Sequence, residues 1–248
     1  MTTLAAPSSQ KMALAASPST PRLDLYAPIH KALRFFMTDT LQRVGRMGLA
    51  DPAEMTPTLV QFDALLTMCE AHVAHENSFM HPELEACQPG STLGISDEHS
   101  GHLDSIAELR HGLRELRRAE ARQRPQQALR LYRHLALFVA ENLEHMHAEE
   151  TALNALLWAN RSDAQLRALH DRLLASLAPT DMLEIVRWMA PALNPDERIA
   201  LLSEMQADAP PQAFAAVIDT VRPRLRDDEW GPLAHALGLP QYVGLVHY

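Results

Sequence analysis

Apolar positions along the chain recur three and four residues apart, which is helical spacing, and nowhere alternate as a strand requires. Four long segments carry the pattern. The first starts near Pro28, a residue suited to a first helical turn, with the stripe His30, Leu33, Met37, Leu41 and Val44. The second follows Pro57 with Phe62, Leu65, Cys69, His72, Glu76 and Phe79, and stops before the breaker Pro89-Gly90. The third opens after Ser96 as N-cap, with Asp97 and Glu98 favouring the helix dipole. Its stripe (Ile95, His99, His102, Ile106, Leu109, Leu113, Leu116) alternates steps of four and three, as a bundle seam does. The fourth follows Pro125 with Leu131, Leu135, Phe138, Asn142, His145, Glu149, Ala152 and Leu156.

A break at Asn160-Arg161 ends this part, and Ser162 with Gln165 forms a capping-box pattern. Shorter helices are expected after Thr180, after Asn194-Pro195, after Pro211 and after Asp227. The pattern predicts an all-α fold: a four-helix unit over 23–160, then a C-terminal helical appendage over 161–248. Residues 1–22, rich in Ala, Ser, Thr and Pro, read as a disordered tail without the pattern of a signal peptide.

Composition sharpens this picture. Aromatic residues are 5% of the chain, and 47% of residues are apolar, which favours helices packed on helices. A formal net charge of -9 argues against a nucleic-acid or anionic-membrane partner. The arginines between Arg110 and Arg130 read as a solvated helix face. No apolar run approaches the length of a membrane span. Two cysteines, Cys69 and Cys87, form no CxxC pair, and a reducing, cytoplasmic setting is expected. The appendage carries no chemistry of its own in this reading. It is a candidate docking region for a protein partner, with Trp188 and Trp230 as anchors.

The chemistry lies elsewhere. Nine of the thirteen histidines fall between His72 and His147. His72 and Glu76 are four apart on one stripe; His145 and Glu149 repeat that spacing on another. Residues four apart share a helix face, and a carboxylate on a core seam is costly unless it is paired or metal-bound. Two HxxxE pairs facing each other across two cations satisfy this, with each carboxylate bridging and imidazoles completing the shells. His30 on the first helix, and His99 and His102 on the third, complete a set of five histidines and two glutamates. Other histidines fit blander roles. His75 reads as a neighbour of the site or a surface residue, His81 as a helix C-terminal cap, and His111 as solvated. His134 lies roughly 16 Å along the helix from His145 and reads as structural. His147, which can pair with Glu150 three residues on, competes with His145 but leaves the seam.

The segments APIHKALRFF, CEAHVAHENSFMHPELE, DEHSGHLDSI and AENLEHMHAEET resemble the metal-bearing helices of the hemerythrin-like, or HHE cation-binding, family in its bacterial form. The resemblance covers roughly residues 25–158. It implies an up-and-down four-helix bundle with a non-haem site of two iron ions joined by a hydroxide or oxo bridge. It implies His30, His72, Glu76, His99, His102, His145 and Glu149 as ligands, and O2 or NO as the small ligand. Animal members carry HxxxH on the third helix and HxxxxD on the fourth; here these are HxxH and HxxxE. The second difference resembles iron–sulfur-repair di-iron proteins and the iron-sensing ubiquitin-ligase subunit. Three functions follow as expectations: binding or sensing of O2, NO or iron; redox turnover of peroxide or NO, or iron donation for cluster repair; or a metal-free helical adaptor.

Overall fold

The computed structural model describes residues 22–240; the expected tail, apart from Arg22, and residues 241–248 lie outside them. Among the described residues the regular structure is entirely helical. In chain order the helices are α1 (Ala27–Arg46), α2 (Pro52–His75), α3 (His81–Cys87), α4 (Leu93–Arg118), α5 (Arg124–Ala148) and α6 (Asn154–Asn160). α7 (Asp163–Ser176), α8 (Pro179–Ala192), α9 (Pro195–Asp208), α10 (Pro211–Val221) and α11 (Asp227–Ala236) follow. Among the described residues no helix is long and apolar enough to cross a membrane.

Two joints between these helices are π-helical turns rather than breaks. Glu76–Met80 joins α2 to α3, and Glu149–Leu153 joins α5 to α6. In each, an N–H five residues on bonds back: that of His81 to the Glu76 carbonyl, and that of Asn154 to the Glu149 carbonyl. A turn closed five residues back holds one more residue than a regular one, so every later side chain shifts by one position. The expected stripes therefore hold up to each glutamate and fail after it. Met80 and Leu84 are buried where Phe79 was expected; Leu153 and Leu157 are buried where Ala152 and Leu156 were expected.

Helix starts also differ from the pattern. α2 begins at Pro52, because Asp51 caps it by accepting from the Ala53 N–H, and Pro57 sits inside the helix. α4 begins at Leu93, ahead of Ser96. The Glu85 carboxylate organises that start by accepting from the Gly90 and Thr92 N–H groups and from the Thr92 hydroxyl. The capping boxes at Ser162/Gln165 and Asn194/Glu197 are both formed.

α1 packs on α2 and α5, and α4 packs on α2 and α5. Their main core holds Phe36, Phe62, Leu65, Ile106, Leu131 and Phe138. A second cluster closes one end, built from Tyr26, Met80, Leu84, Ile95, Leu153 and Leu157 with Leu166 and Leu169 of α7. The C-terminal helices have a core of their own, but α8 lies along α1. The expectation of exposed tryptophan anchors is corrected here. Trp188 stacks on Phe36 with ring centroids 3.6 Å apart, under the Arg224 guanidinium, and Trp230 is buried in the C-terminal core. Large aromatic rings gain most by burial, and α1 supplies the apolar face that α8 needs.

Candidate metal centre

Helix geometry brings the polar residues of four segments to one level. His30 lies in the first turn of α1, buried completely. His72 lies in the last turn of α2 with Glu76 one turn on; His145 lies in the last turn of α5 with Glu149 one turn on. His99 comes from α4. Two groups result. His30, His72, Glu76 and Glu149 each offer a ligand atom within 4.8 Å of the others; so do Glu76, His99, His145 and Glu149. Both glutamates belong to both groups, so this buried cluster can hold metal.

The distances have the right scale. His72 Nε2 is 3.1 Å from Glu76 Oε1, and His99 Nε2 is 3.3 Å from Glu76 Oε2. His30 Nε2 and His145 Nε2 are each 3.4 Å from Glu149 Oε2. Donors about 2.1 Å from one ion stand roughly 3.0–3.4 Å from each other at octahedral or tetrahedral angles. The alternative, a network of internal hydrogen bonds, fails on partners. His30 Nε2, His72 Nε2, both Glu76 oxygens and Glu149 Oε2 are buried without a hydrogen-bond partner. Each such atom costs about 1–3 kcal/mol. An ion supplies the missing partner to all of them at once.

The far side of the rings fixes which nitrogen faces inward. His30 Nδ1 is 3.1 Å from Glu150, His99 Nδ1 is 2.8 Å from Asn77, and His145 Nδ1 is 2.7 Å from Glu98. A ring that donates from Nδ1 presents the Nε2 lone pair, as a metal ligand must. Arg34 grips Glu150 through two contacts of 2.6 and 3.0 Å. Asn77 follows Glu76 directly, inside the first π turn. Spacing along the chain did not reveal these outer partners. Glu98 looked like a dipole residue and Glu150 like a partner of His147. The one available signal was their place beside the stripe residues His99 and Glu149.

Electrostatics agrees with a buried ligand set. Burial alone would depress the His30 pKa, but the hydrogen bond to Glu150 and the nearby charges of Glu76 and Glu149 lift it to about 9. Burial would raise the Glu76 carboxyl, yet the histidines around it hold it well below the usual range. The metal-free site therefore keeps a proton on His30 between the two carboxylates.

The expected residues are not equivalent. His30, His72, Glu76, His99, His145 and Glu149 come together; His102 lies outside both groups. Its ring meets His145 edge-on at 4.8 Å and Phe138 at 6.1 Å. Burial, then the neighbouring His145 and His99, pushes its pKa down to about 4, so it is a neutral imidazole. His81 is not a helix cap. The π turn continues the helix past it, and its ring stacks on His99 at 5.0 Å and 6°. His111 is exposed, and His134 pairs with Glu108 at 3.6 Å. Burial pushes the Cys69 thiol up to about 12, leaving it an inert core residue. In comparisons with known proteins, no family model, no curated protein and no solved structure matches this chain.

Proposed function

We propose that this chain is a hemerythrin-like protein whose four-helix bundle holds two iron ions and binds or senses O2 or NO. The observation that carries the reading is the pair of overlapping ligand groups sharing Glu76 and Glu149. Two histidines belong to each group alone, so the donor set divides naturally between two ions bridged by two carboxylates.

The packing supports an up-and-down bundle. α1 and α4 each touch both α2 and α5. Tyr26 and Ile95, at the starts of α1 and α4, share one cluster with Met80 and Leu153, near the ends of the second and fourth segments. Alternating helix directions bring starts and ends together in this way.

Iron, when bound, supplies a redox-active centre able to accept a diatomic ligand. The chain supplies the rest. Glu76 and Glu149 set the spacing of the two groups. Glu150, Asn77 and Glu98 orient the imidazoles, and Arg34 holds Glu150 in place. Phe36, Phe138 and Leu135 belong to the buried apolar core of the same helices. His30 gives up its proton when metal enters, so uptake releases at least that proton below about pH 9.

Iron analysis and optical spectra of anaerobically prepared protein test the reading. About two irons per chain are expected, with near-ultraviolet charge-transfer bands after air oxidation that azide shifts. Bands of full strength in a His72→Ala, His145→Ala double variant would contradict it.

A further inference from the structure

Beyond the metal level lies a second set of buried polar groups. Tyr26, just ahead of α1, is one turn before His30, and its backbone carbonyl accepts the His30 N–H. Its ring centroid is 5.4 Å from that of His30. His81 stands five residues beyond Glu76 and Asn154 five residues beyond Glu149, each the residue that closes its π turn. Because those turns hold one extra residue, a step of five replaces the regular step of four along the face that bears each glutamate. The two π segments thus place His81 and Asn154 in matching positions beside the two bridging carboxylates.

These three side chains are buried: Tyr26 is 2%, Asn154 1% and His81 8% exposed. Their polar atoms are unsatisfied. The Tyr26 hydroxyl, His81 Nε2 and both Asn154 side-chain atoms lack hydrogen-bond partners. His81 has only a 3.4 Å contact from Nδ1 to the Ser96 hydroxyl. Three helical segments each contribute one such group, on the same side of the metal level, against the cluster of Met80, Leu84, Leu153 and Leu157. His81 stacks on His99, a member of the second ligand group, with ring centroids 5.0 Å apart, as Tyr26 lies against His30 of the first. An apolar core has no use for this arrangement, since each unsatisfied group costs about 1–3 kcal/mol. None of these three groups is needed to complete the two ligand groups.

We propose that Tyr26, His81 and Asn154 form a polar receptor layer that hydrogen-bonds a small anionic or oxygen-atom ligand entering the centre. This rests on the metal reading above and adds where the ligand sits and what selects it. The Tyr26 hydroxyl and the Asn154 amide donate; His81 donates or accepts according to its tautomer. Such a layer favours ligands with strong acceptor atoms over purely apolar gases.

Azide titrated into the air-oxidised, iron-loaded protein, followed by near-ultraviolet absorption, tests this. Thermal unfolding of the metal-free protein is measured alongside. Tyr26→Phe and Asn154→Leu should each weaken azide about tenfold, the effect of one hydrogen bond to a charged group. Iron content should stay at two, and melting of the metal-free form should be unchanged or raised, because an unsatisfied group has been removed. His81→Phe keeps the stacking on His99 and should weaken azide by a smaller factor. Unchanged azide affinity in all three variants, with two irons bound, would overturn the receptor layer alone. Lower melting of metal-free Tyr26→Phe would show that the hydroxyl already has a protein partner, and would also overturn it. A wild-type protein that takes up no iron would overturn the metal reading and the layer together.

Discussion

On one side of His102 the seam of α4 runs through Ile106, Leu109, Leu113 and Leu116, packed with Phe62, Leu65, Leu131 and Phe138. On the other side the same four helical segments present His30, His72, Glu76, His99, His145 and Glu149, with Tyr26, His81 and Asn154 beyond. The first half obeys ordinary packing: apolar stripes, regular turns and no buried charge. The second half violates it. Two π turns interrupt the helices, and buried carboxylate and imidazole atoms lack partners. Packing energy from the first half holds together a second half that is costly on its own. Local rules that fail together at one place mark a functional site.

Breaking the apolar half should have the largest effect. Phe138→Ala should lower the stability of the metal-free protein by about 3–5 kcal/mol in denaturant unfolding, while the ligand residues remain. Removing ligands should do less. Glu76→Gln with Glu149→Gln should cost the metal-free protein less than Phe138→Ala, since the loss of charge pairing with His30 is offset by the removal of two buried carboxylates. That variant should lose the metal-dependent gain, about 2.7 kcal/mol when free metal is a hundredfold above its dissociation constant. Hydrogen exchange locates the gain. Amides around the π turns should slow on metal binding, and those of Leu109–Leu116 should not.

Much of this comparison was legible in the sequence. Residues four apart share a helix face, so His72 with Glu76 and His145 with Glu149 point to one centre from spacing alone. The bundle seam of α4 reads directly from its steps of four and three. The π turns were not legible. Asn77–Met80 and Glu150–Leu153 look like ordinary helix, and the extra residue appears only as the stripe moving from Phe79 to Met80 and from Ala152 to Leu153. His81 was misread for the same reason: the continuing helix carries it inward. The outer partners Glu98, Asn77 and Glu150 were hidden because they lie on other helices from the rings they orient. Trp188 was misread because burial against Phe36 depends on how α8 meets α1, which no local pattern encodes.

Smaller effects sharpen the distinction between ligand and support. Glu150→Gln and Glu98→Gln should weaken metal binding about 10–100-fold in competition with a chelator, without removing a ligand. Burial opposes the ionised Glu150, but its hydrogen bonds to His30 and Arg34 hold its pKa at about 2. A carboxylate with a depressed pKa stabilises the fold above its unfolded pKa. That contribution should fade as pH falls from about 4.5 toward 2, and its absence in Glu150→Gln should flatten the acid limb of the stability curve. His30, raised to about 9, gives the opposite slope in the metal-free protein. Its contribution is complete below about 6.5 and is lost as pH rises through 9. Metal affinity should rise over that same interval as the competing proton leaves.

The shared role of Glu76 and Glu149 is the centre of this account, and counting metal ions tests it most directly. Wild-type protein, prepared anaerobically and dialysed against iron, should bind two ions per chain, one for each ligand group. Glu76→Ala with Glu149→Ala should bind none tightly, because each glutamate serves both groups. Two ions retained in that double variant, or none in the wild type, would contradict it.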